Sequence, residues 1–194
     1  MDRRPRDYLG AQHETIGSDI LAVLRTLKEP EAVLGAVVAA RVASVDPAGW
    51  YPIAQFLELM EVLDGRVGER GLMSMGRTLF KLSHESRAKE EATSAADIIF
   101  GIDGMYHFAN RGIDIGGWKV VGFQPGRAVL VKNTPHHCAM EQGILDEALR
   151  LVGAPSRISQ SECFRKGAEL CRFNVHSRIT DHRWHGGRPS IPLP

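Results

Sequence analysis

The stretch Ser161–Val175, SECFRKGAELCRFNV, is the clearest structural pattern in this 194-residue chain, and it carries two of the three cysteines. Alternation within it places Cys171, Phe173 and Val175 on one face, which is typical of a half-buried strand. Residues 157–164 lie before the basic, glycine-containing turn Arg165–Ala168. The stretch therefore predicts a β-hairpin that closes the domain.

A second hairpin and a helix precede this one. Residues 118–124, the turn Pro125-Gly126 and residues 128–132 form a strand, turn and strand pattern. Apolar residues then recur at helical spacing from 144 to 152 and stop at Gly153-Ala154-Pro155. The C-terminal half is thus predicted to be a hairpin, a helix and a hairpin.

The residues before Arg111 have a helical period instead. Apolar stripes lie at 34–42, 53–63, 72–82 and 98–106. Asp46–Gly49 interrupts the pattern, and the charged segment Glu85–Glu91 is expected to be a solvated connection. The order predicts an α+β fold, with N-terminal helices packed on a small antiparallel four-stranded sheet.

A chain of this length can form one well-buried domain. We expect an N-terminal arm at residues 1–13, a single α+β ligand-binding-type domain at 14–182 and a Pro/Gly-rich tail at 183–194 that wraps the surface or frays. With 24% charged residues and a net charge of +1, the composition indicates no surface for nucleic acid. No apolar run is long enough for a membrane span. An odd cysteine count without a secretion signal favours the cytoplasm.

The three cysteines, Cys138, Cys163 and Cys171, allow two interpretations. Two cysteines on a hairpin and a third from the preceding loop can converge on a metal ion. Cysteine is also a small apolar residue that is often buried, and its alternation with Phe173 and Val175 favours that alternative for Cys171. A disulfide is the least favoured reading in a reducing compartment.

The histidines at 136 and 137 adjoin Cys138, and an imidazole can activate a thiol. Neighbouring side chains in extended backbone point to opposite faces, however, so adjacency in sequence is weak support for a thiol enzyme. We assign no catalytic residue and do not expect an enzyme.

A further concentration of unusual residues lies between Met105 and Trp118. Aromatic side chains with a few polar groups suit a small, partly apolar ligand, aromatic or lipid-like. A dinucleotide site is not indicated, because the glycines here precede a strand and do not open a helix. The alternative is that the aromatic residues are core and the glycines only form a turn. The candidate ligand-binding residues are Tyr106, His107, Phe108, Arg111 and Trp118.

A family resemblance rests on a spaced set of cysteines and glycines. Cys138, Gly143, Gly153, Cys163, Gly167 and Cys171, with a helix between two hairpins, resemble the vinyl-reductase-like (4-vinyl reductase) small-molecule-binding domain. That domain is placed in a superfamily with haem nitric-oxide-binding domains and the TRAPP subunits of Golgi transport. The resemblance implies a ligand-binding or adaptor fold with an apolar cavity, usually a homodimer and seldom an enzyme.

The resemblance also implies a metal site. In the sensor domains of phenol- and xylene-responsive activators, three cysteines and a glutamate hold a structural zinc. Cys138, Cys163 and Cys171 match the three cysteines, whereas Gln160 occupies the place of the glutamate. An amide is a poor zinc ligand, so zinc is a candidate cofactor that lacks its fourth ligand. The candidates for that ligand are Glu162, His136, His137 and water.

Haem is disfavoured by the sequence. His84 and His107 each lie in a helical segment where an axial ligand could stand. The tyrosine-serine-arginine signature that holds haem propionates in the haem-binding relatives has no match here.

Two functions follow from these expectations. In the first, the chain is a non-enzymatic small-molecule-binding sensor that acts as a homodimer through an unidentified downstream protein. In the alternative, it is a TRAPP-like structural or scaffolding module whose cavity is filled by its own side chains or by a lipid. The first predicts an open cavity near Tyr106, His107 and Trp118. The second predicts a filled cavity and a broad exposed apolar surface.

Overall fold

The computed structural model describes residues 12–194, so all but the last two residues of the expected arm lie outside the described range. The N-terminal part is mainly helical. Its elements are β1 (Glu14–Ile16), α1 (Gly17–Arg25), α2 (Pro30–Leu34), α3 (Ala36–Ala43), β2 (Trp50–Pro52), α4 (Ile53–Leu79), α5 (Glu85–Glu91) and α6 (Ala95–Ala109).

Helix α4 joins two of the predicted stripes into one bent helix. Gly68 interrupts it with φ 65° and ψ −179°, a conformation that is accessible to glycine and strained for other residues. A wide π-helical turn, Phe80–His84, follows α4 and leads directly into α5. The predicted solvated connection Glu85–Glu91 is therefore a helix, although its side chains are exposed or half-buried as expected.

The C-terminal part forms a sheet with one covering helix. Its elements are β3 (Asn110–Arg111), β4 (Trp118–Gln124), β5 (Arg127–Lys132), α7 (Cys138–Leu151), β6 (Ser156–Glu162), β7 (Cys171–Ser177) and α8 (His182–His185). Strands β4, β5, β7 and β6 form, in that order, a four-stranded sheet in which every pair is antiparallel. The predicted α+β fold is confirmed. A small sheet of β2, β1 and β3 was not predicted, because strands of two or three residues are too short to show alternation.

Helices α4 and α7 cross closely through a pair of glycines. A Cβ atom on Gly76 would overlap the carbonyl oxygen of Met140, and one on Gly143 would overlap that of Met73. Arg77 Nε donates to Asp146 Oδ2 at 2.7 Å across the same crossing. Because Gly76 and Gly143 have no side chains, the backbones of α4 and α7 can come into direct contact.

Residues 183–194, the expected Pro/Gly-rich tail, pack on the domain. Trp184 is fully buried, its ring stacks on Phe123 at 5.7 Å, and its Nε1 donates to the carbonyl of Gln124. Farther on, Ile191 exchanges two backbone hydrogen bonds with Phe123. The burial of one large aromatic residue is enough to hold this proline- and glycine-rich segment against β4.

Candidate ligand-binding site

A small cavity lies where α1, α4, α6 and α7 meet β4. Its volume is about 50 Å³, and we call it the inner cavity. Most of its wall is apolar or aromatic. These lining residues include Phe56, Leu79, Ile102, Met105, Tyr106, Trp118, Met140 and Ile144.

Three polar side chains on this wall each have one atom without a hydrogen-bond partner among residues 12–194. The atoms are Asp19 Oδ1, Asn110 Oδ1 and His136 Nδ1, and the residues are only 7%, 4% and 5% exposed. The Asn110 amide nitrogen is already used, since Nδ2 donates to the carbonyl of Tyr106 at 3.0 Å. Because a buried polar atom without a partner costs about 1–3 kcal/mol, three of them around one cavity indicate a place for a polar ligand.

His136 is held neutral in this site. Its ring lies between Phe56 and Tyr106, with centroid distances of 5.4 and 5.6 Å. Burial lowers the pKa of His136 to about 3, and the charge of Lys132 adds to this effect. A neutral imidazole offers one lone pair and one N–H, so His136 can accept a hydrogen bond from a ligand.

A buried ion pair positions the segment that carries His136. Lys132 Nζ contacts Glu141 Oε2 and donates to the carbonyl of His136 at 2.9 Å. Thr134 Oγ1 donates to the other carboxylate oxygen, Glu141 Oε1, at 2.7 Å. Since Lys132 is fully buried, each charge needs its partner, and the pair fixes the loop between β5 and α7.

A larger cleft lies outside the inner cavity, between α5 and α6. Its volume is about 540 Å³, within the range of about 300–1,000 Å³ that is usual for ligand pockets, and we call it the outer cleft. Arg87 lies over the ring of Phe108 at 4.4 Å, and Arg188 lies over the ring of Phe100 at 4.9 Å. His84 lines both spaces, and its Nε2 is 3.3 Å from Asp19 Oδ2.

The five ligand-binding residues predicted from sequence do not converge. Tyr106 and Trp118 lie in the wall of the inner cavity, and Phe108 lines the outer cleft. His107 is at the surface, with Nε2 3.6 Å from Asp103, and Arg111 pairs with Glu14 and stacks on Trp50. Their role in binding stays a prediction.

Two polar residues of the site, Asp19 and Asn110, were not among the predicted binding residues, although Asn110 lies in the stretch between Met105 and Trp118. In the sequence, Asp19 looks like an ordinary acidic residue in the first turn of α1. Asn110 looks like an ordinary residue at the end of α6. His84 and His136 were considered only as metal ligands or as neighbours of a thiol. No local signal marks these residues, because they come together only when four distant segments pack.

The three cysteines form a buried cluster. Cys138 Sγ lies 3.2 Å from Cys171 Sγ and 3.6 Å from Cys163 Sγ. A hydrogen bond from the Cys171 thiol lowers the pKa of Cys138, with smaller contributions from Lys132 and the amide of Gln160. The same bond raises the pKa of Cys171. Three sulfur atoms at these distances are a suitable ligand set for one thiophilic metal ion.

The fourth ligands expected from sequence lie elsewhere. His137 Nδ1 accepts from the backbone N–H of Ala139, and its Nε2 is 3.3 Å from Asp64. Glu162 pairs with Arg172 on the exposed face of the hairpin, and His136 lines the inner cavity. Within the described part of the chain, the metal-ligand cluster therefore consists of the three cysteines.

Comparison with known proteins gives structural neighbours only. No family model matches the sequence, and no curated protein matches it. An H-NOX protein mutant from K. algicida, Fe(II) unliganded, has a TM-score of 0.63 at 10% identity, covering 86% of this chain and 98% of that one. The Shewanella oneidensis H-NOX domain in the Fe(II)CO state has a TM-score of 0.62 at 16% identity, with 83% and 98% covered. An oxygen-binding H-NOX domain related to soluble guanylate cyclases has a TM-score of 0.59 at 9% identity, with 84% and 93% covered.

These neighbours correct two expectations. The identification as a vinyl-reductase-like, TRAPP-like domain is wrong, because the similar solved structures given above are H-NOX domains. The spacing of cysteines and glycines on which that identification rested fits a hairpin-helix-hairpin order, and other domains also have this order. Disfavouring haem was also wrong, because H-NOX domains bind haem. Neither zinc nor the TRAPP-like scaffold alternative finds support among them.

Among residues 12–194, each helix is too short or too polar to cross a bilayer.

Proposed function

We propose that this chain is a non-enzymatic sensor domain that binds a small molecule between its helices and its sheet and acts through a partner protein. The observation that carries the proposal is the set of unpaired atoms around the inner cavity, Asp19 Oδ1, Asn110 Oδ1 and His136 Nδ1 within the described chain. A bound molecule would pair them and recover their desolvation cost. The fold shared with gas-binding H-NOX domains supports a sensor role.

The lining of the inner cavity favours binding over catalysis. Among the described residues that line it, there is no serine, threonine, cysteine or lysine that could act as a nucleophile. His136 is neutral and lies against aromatic rings, so its imidazole is placed to accept a hydrogen bond from a ligand.

Haem is the first ligand class to test, and the residues of the outer cleft fit it. The inner cavity is far smaller than a macrocycle needs, whereas the outer cleft has the volume of a pocket for a molecule of that size. His84 would supply the imidazole for iron, and the Asp19 carboxylate beside it would orient that ring, as second-sphere carboxylates do. Arg87 and Arg188 would face the carboxylates of the ligand. When bound, haem would supply an iron centre that takes up a diatomic gas.

A second proposal concerns the three cysteines. We infer that Cys138, Cys163 and Cys171 hold one thiophilic metal ion that ties the start of α7 to the β6–β7 hairpin. The convergence of three buried sulfur atoms from three elements supports this role. A metal there would be structural, since the cluster lies inside the core.

Native mass spectrometry of the purified full chain tests the sensor proposal. We expect a bound small molecule in the protein as isolated, or uptake of added haemin at one molecule per chain. The same spectra report whether the chain forms the proposed homodimer. A chain that carries no molecule and takes up none would contradict the sensor function.

A further inference from the structure

We propose that the inner cavity selects a small organic cation with several N–H donors, of the alkylammonium or amidinium class. This inference rests on the proposed function and names the chemistry of a ligand for the same site. It goes beyond the gas ligands of the structural neighbours, because NO, CO and O2 carry no N–H group.

The unpaired oxygen atoms of the inner cavity are hydrogen-bond acceptors. Asp19 Oδ1 belongs to a carboxylate, which accepts and does not donate. Asn110 Oδ1 also accepts, and the orientation of this amide is set by the bond from Nδ2 to the carbonyl of Tyr106. The complementary ligand is therefore rich in donors.

The wall of the inner cavity also carries negative charge. Two acidic residues of the described chain line it, Asp19 and Glu141. Lys132 contacts and neutralises Glu141. Asp19 lies beside the imidazole of His84, and no lysine or arginine of the described chain contacts it. A carboxylate without a lysine or arginine partner favours a cation in this low-dielectric space.

Three aromatic side chains form part of the wall of the inner cavity: Phe56, Tyr106 and Trp118. The faces of aromatic rings attract cations, and rings grouped around a small space are the usual means by which proteins recognise ammonium groups. A carboxylate and three aromatic side chains therefore point to the same ligand class.

The volume limits the size of this cation. A buried water molecule needs a cavity of about 10–15 Å³. The inner cavity, at about 50 Å³, therefore has room for a molecule of about three or four heavy atoms. Methylammonium and formamidinium are within that limit. Ordered water is the competing occupant, because water can also donate to these acceptors.

The test is isothermal titration calorimetry of the full chain with methylammonium chloride at constant ionic strength. Methanol is the matched neutral probe, since it has the same number of heavy atoms and no charge. We expect saturable binding of methylammonium and none of methanol. Asp19→Asn should weaken the affinity about tenfold or more, because it removes a charge-assisted hydrogen bond. Glu162→Gln, which changes an exposed carboxylate on the β6–β7 hairpin, should leave the affinity unchanged.

Asn110→Leu provides a second variant if Asp19→Asn does not fold, and it should also weaken binding. The inference is overturned if folded wild-type protein shows no saturable binding of methylammonium, or binds methanol equally well. If methylammonium does not bind while native mass spectrometry finds another bound molecule, the cation inference is wrong and the sensor proposal is still supported. A different outcome is that the protein binds methylammonium with the expected variant effects, while native mass spectrometry finds no other bound molecule and no uptake of haemin. The cation site is then supported and the sensor function is not.

Discussion

Nε2 of His84 lies 3.3 Å from Oδ2 of Asp19, and this buried pair forms part of the wall between the inner cavity and the outer cleft. The pair is possible because the π-helical turn Phe80–His84 carries the His84 side chain inward at the junction of α4 and α5. Such turns interrupt the regular helix and are frequent at functional sites. His84 therefore lines both the inner cavity and the outer cleft.

If haem occupies the outer cleft, His84→Ala should abolish or strongly weaken haemin binding, because the variant removes the imidazole that would bind iron. Absorbance titration with haemin measures this directly. His107→Ala is the matched control, since His107 lies on the exposed face of α6. Equal loss in both variants, or no loss in either, would remove His84 from that role.

Lys132→Met should destabilise the protein by about 3–5 kcal/mol, because the variant leaves Glu141 buried without its partner. Urea unfolding gives the free energy. Lys81→Met breaks the pair of an exposed lysine with the half-buried Glu147, and it should cost less, about 1 kcal/mol. The double variant Lys132→Met with Glu141→Leu should recover part of the loss. A similar cost for Lys132→Met and Lys81→Met would show that the buried pair does not hold the loop.

Gly143→Ala should destabilise the α4–α7 crossing by about 1–3 kcal/mol, because the added methyl group would overlap the backbone of Met73. Gly101→Ala is the matched control. Its added methyl group would point into open space on α6, so it should be neutral or stabilising by up to about 1 kcal/mol. Thermal unfolding of both variants checks this, and a Gly143→Ala protein as stable as wild type would be inconsistent with the close crossing.

If the cysteine cluster binds a thiophilic metal, Co²⁺ should give thiolate-to-metal charge-transfer absorbance at one equivalent per chain. Cys171→Ser should remove most of this absorbance because it removes one of three sulfur ligands. Glu162→Gln should leave it unchanged, since Glu162 pairs with Arg172 outside the cluster. Wild-type protein without the absorbance would rule out this site.

The sheet and its helix could be predicted because their sequence patterns are local. Alternation of Cys171, Phe173 and Val175 marked β7, and the convergence of Cys138 with the hairpin cysteines was one of two interpretations that the sequence left open. The cavity could not be predicted in the same way. Asp19, His84, Asn110 and His136 belong to four segments, and only packing brings them together. The burial of Trp184 against Phe123 could not be predicted either, because the surrounding sequence is rich in proline and glycine and gives no local sign of packing.

A crystal structure of the protein as isolated, at a resolution that separates water from other molecules, shows whether a ligand occupies the inner cavity or the outer cleft. We expect density for a bound molecule other than water, either within hydrogen-bond distance of Asp19 Oδ1, Asn110 Oδ1 and His136 Nδ1 or in the outer cleft against His84. Only ordered water in both spaces, unchanged after soaking with haemin and methylammonium, would contradict it.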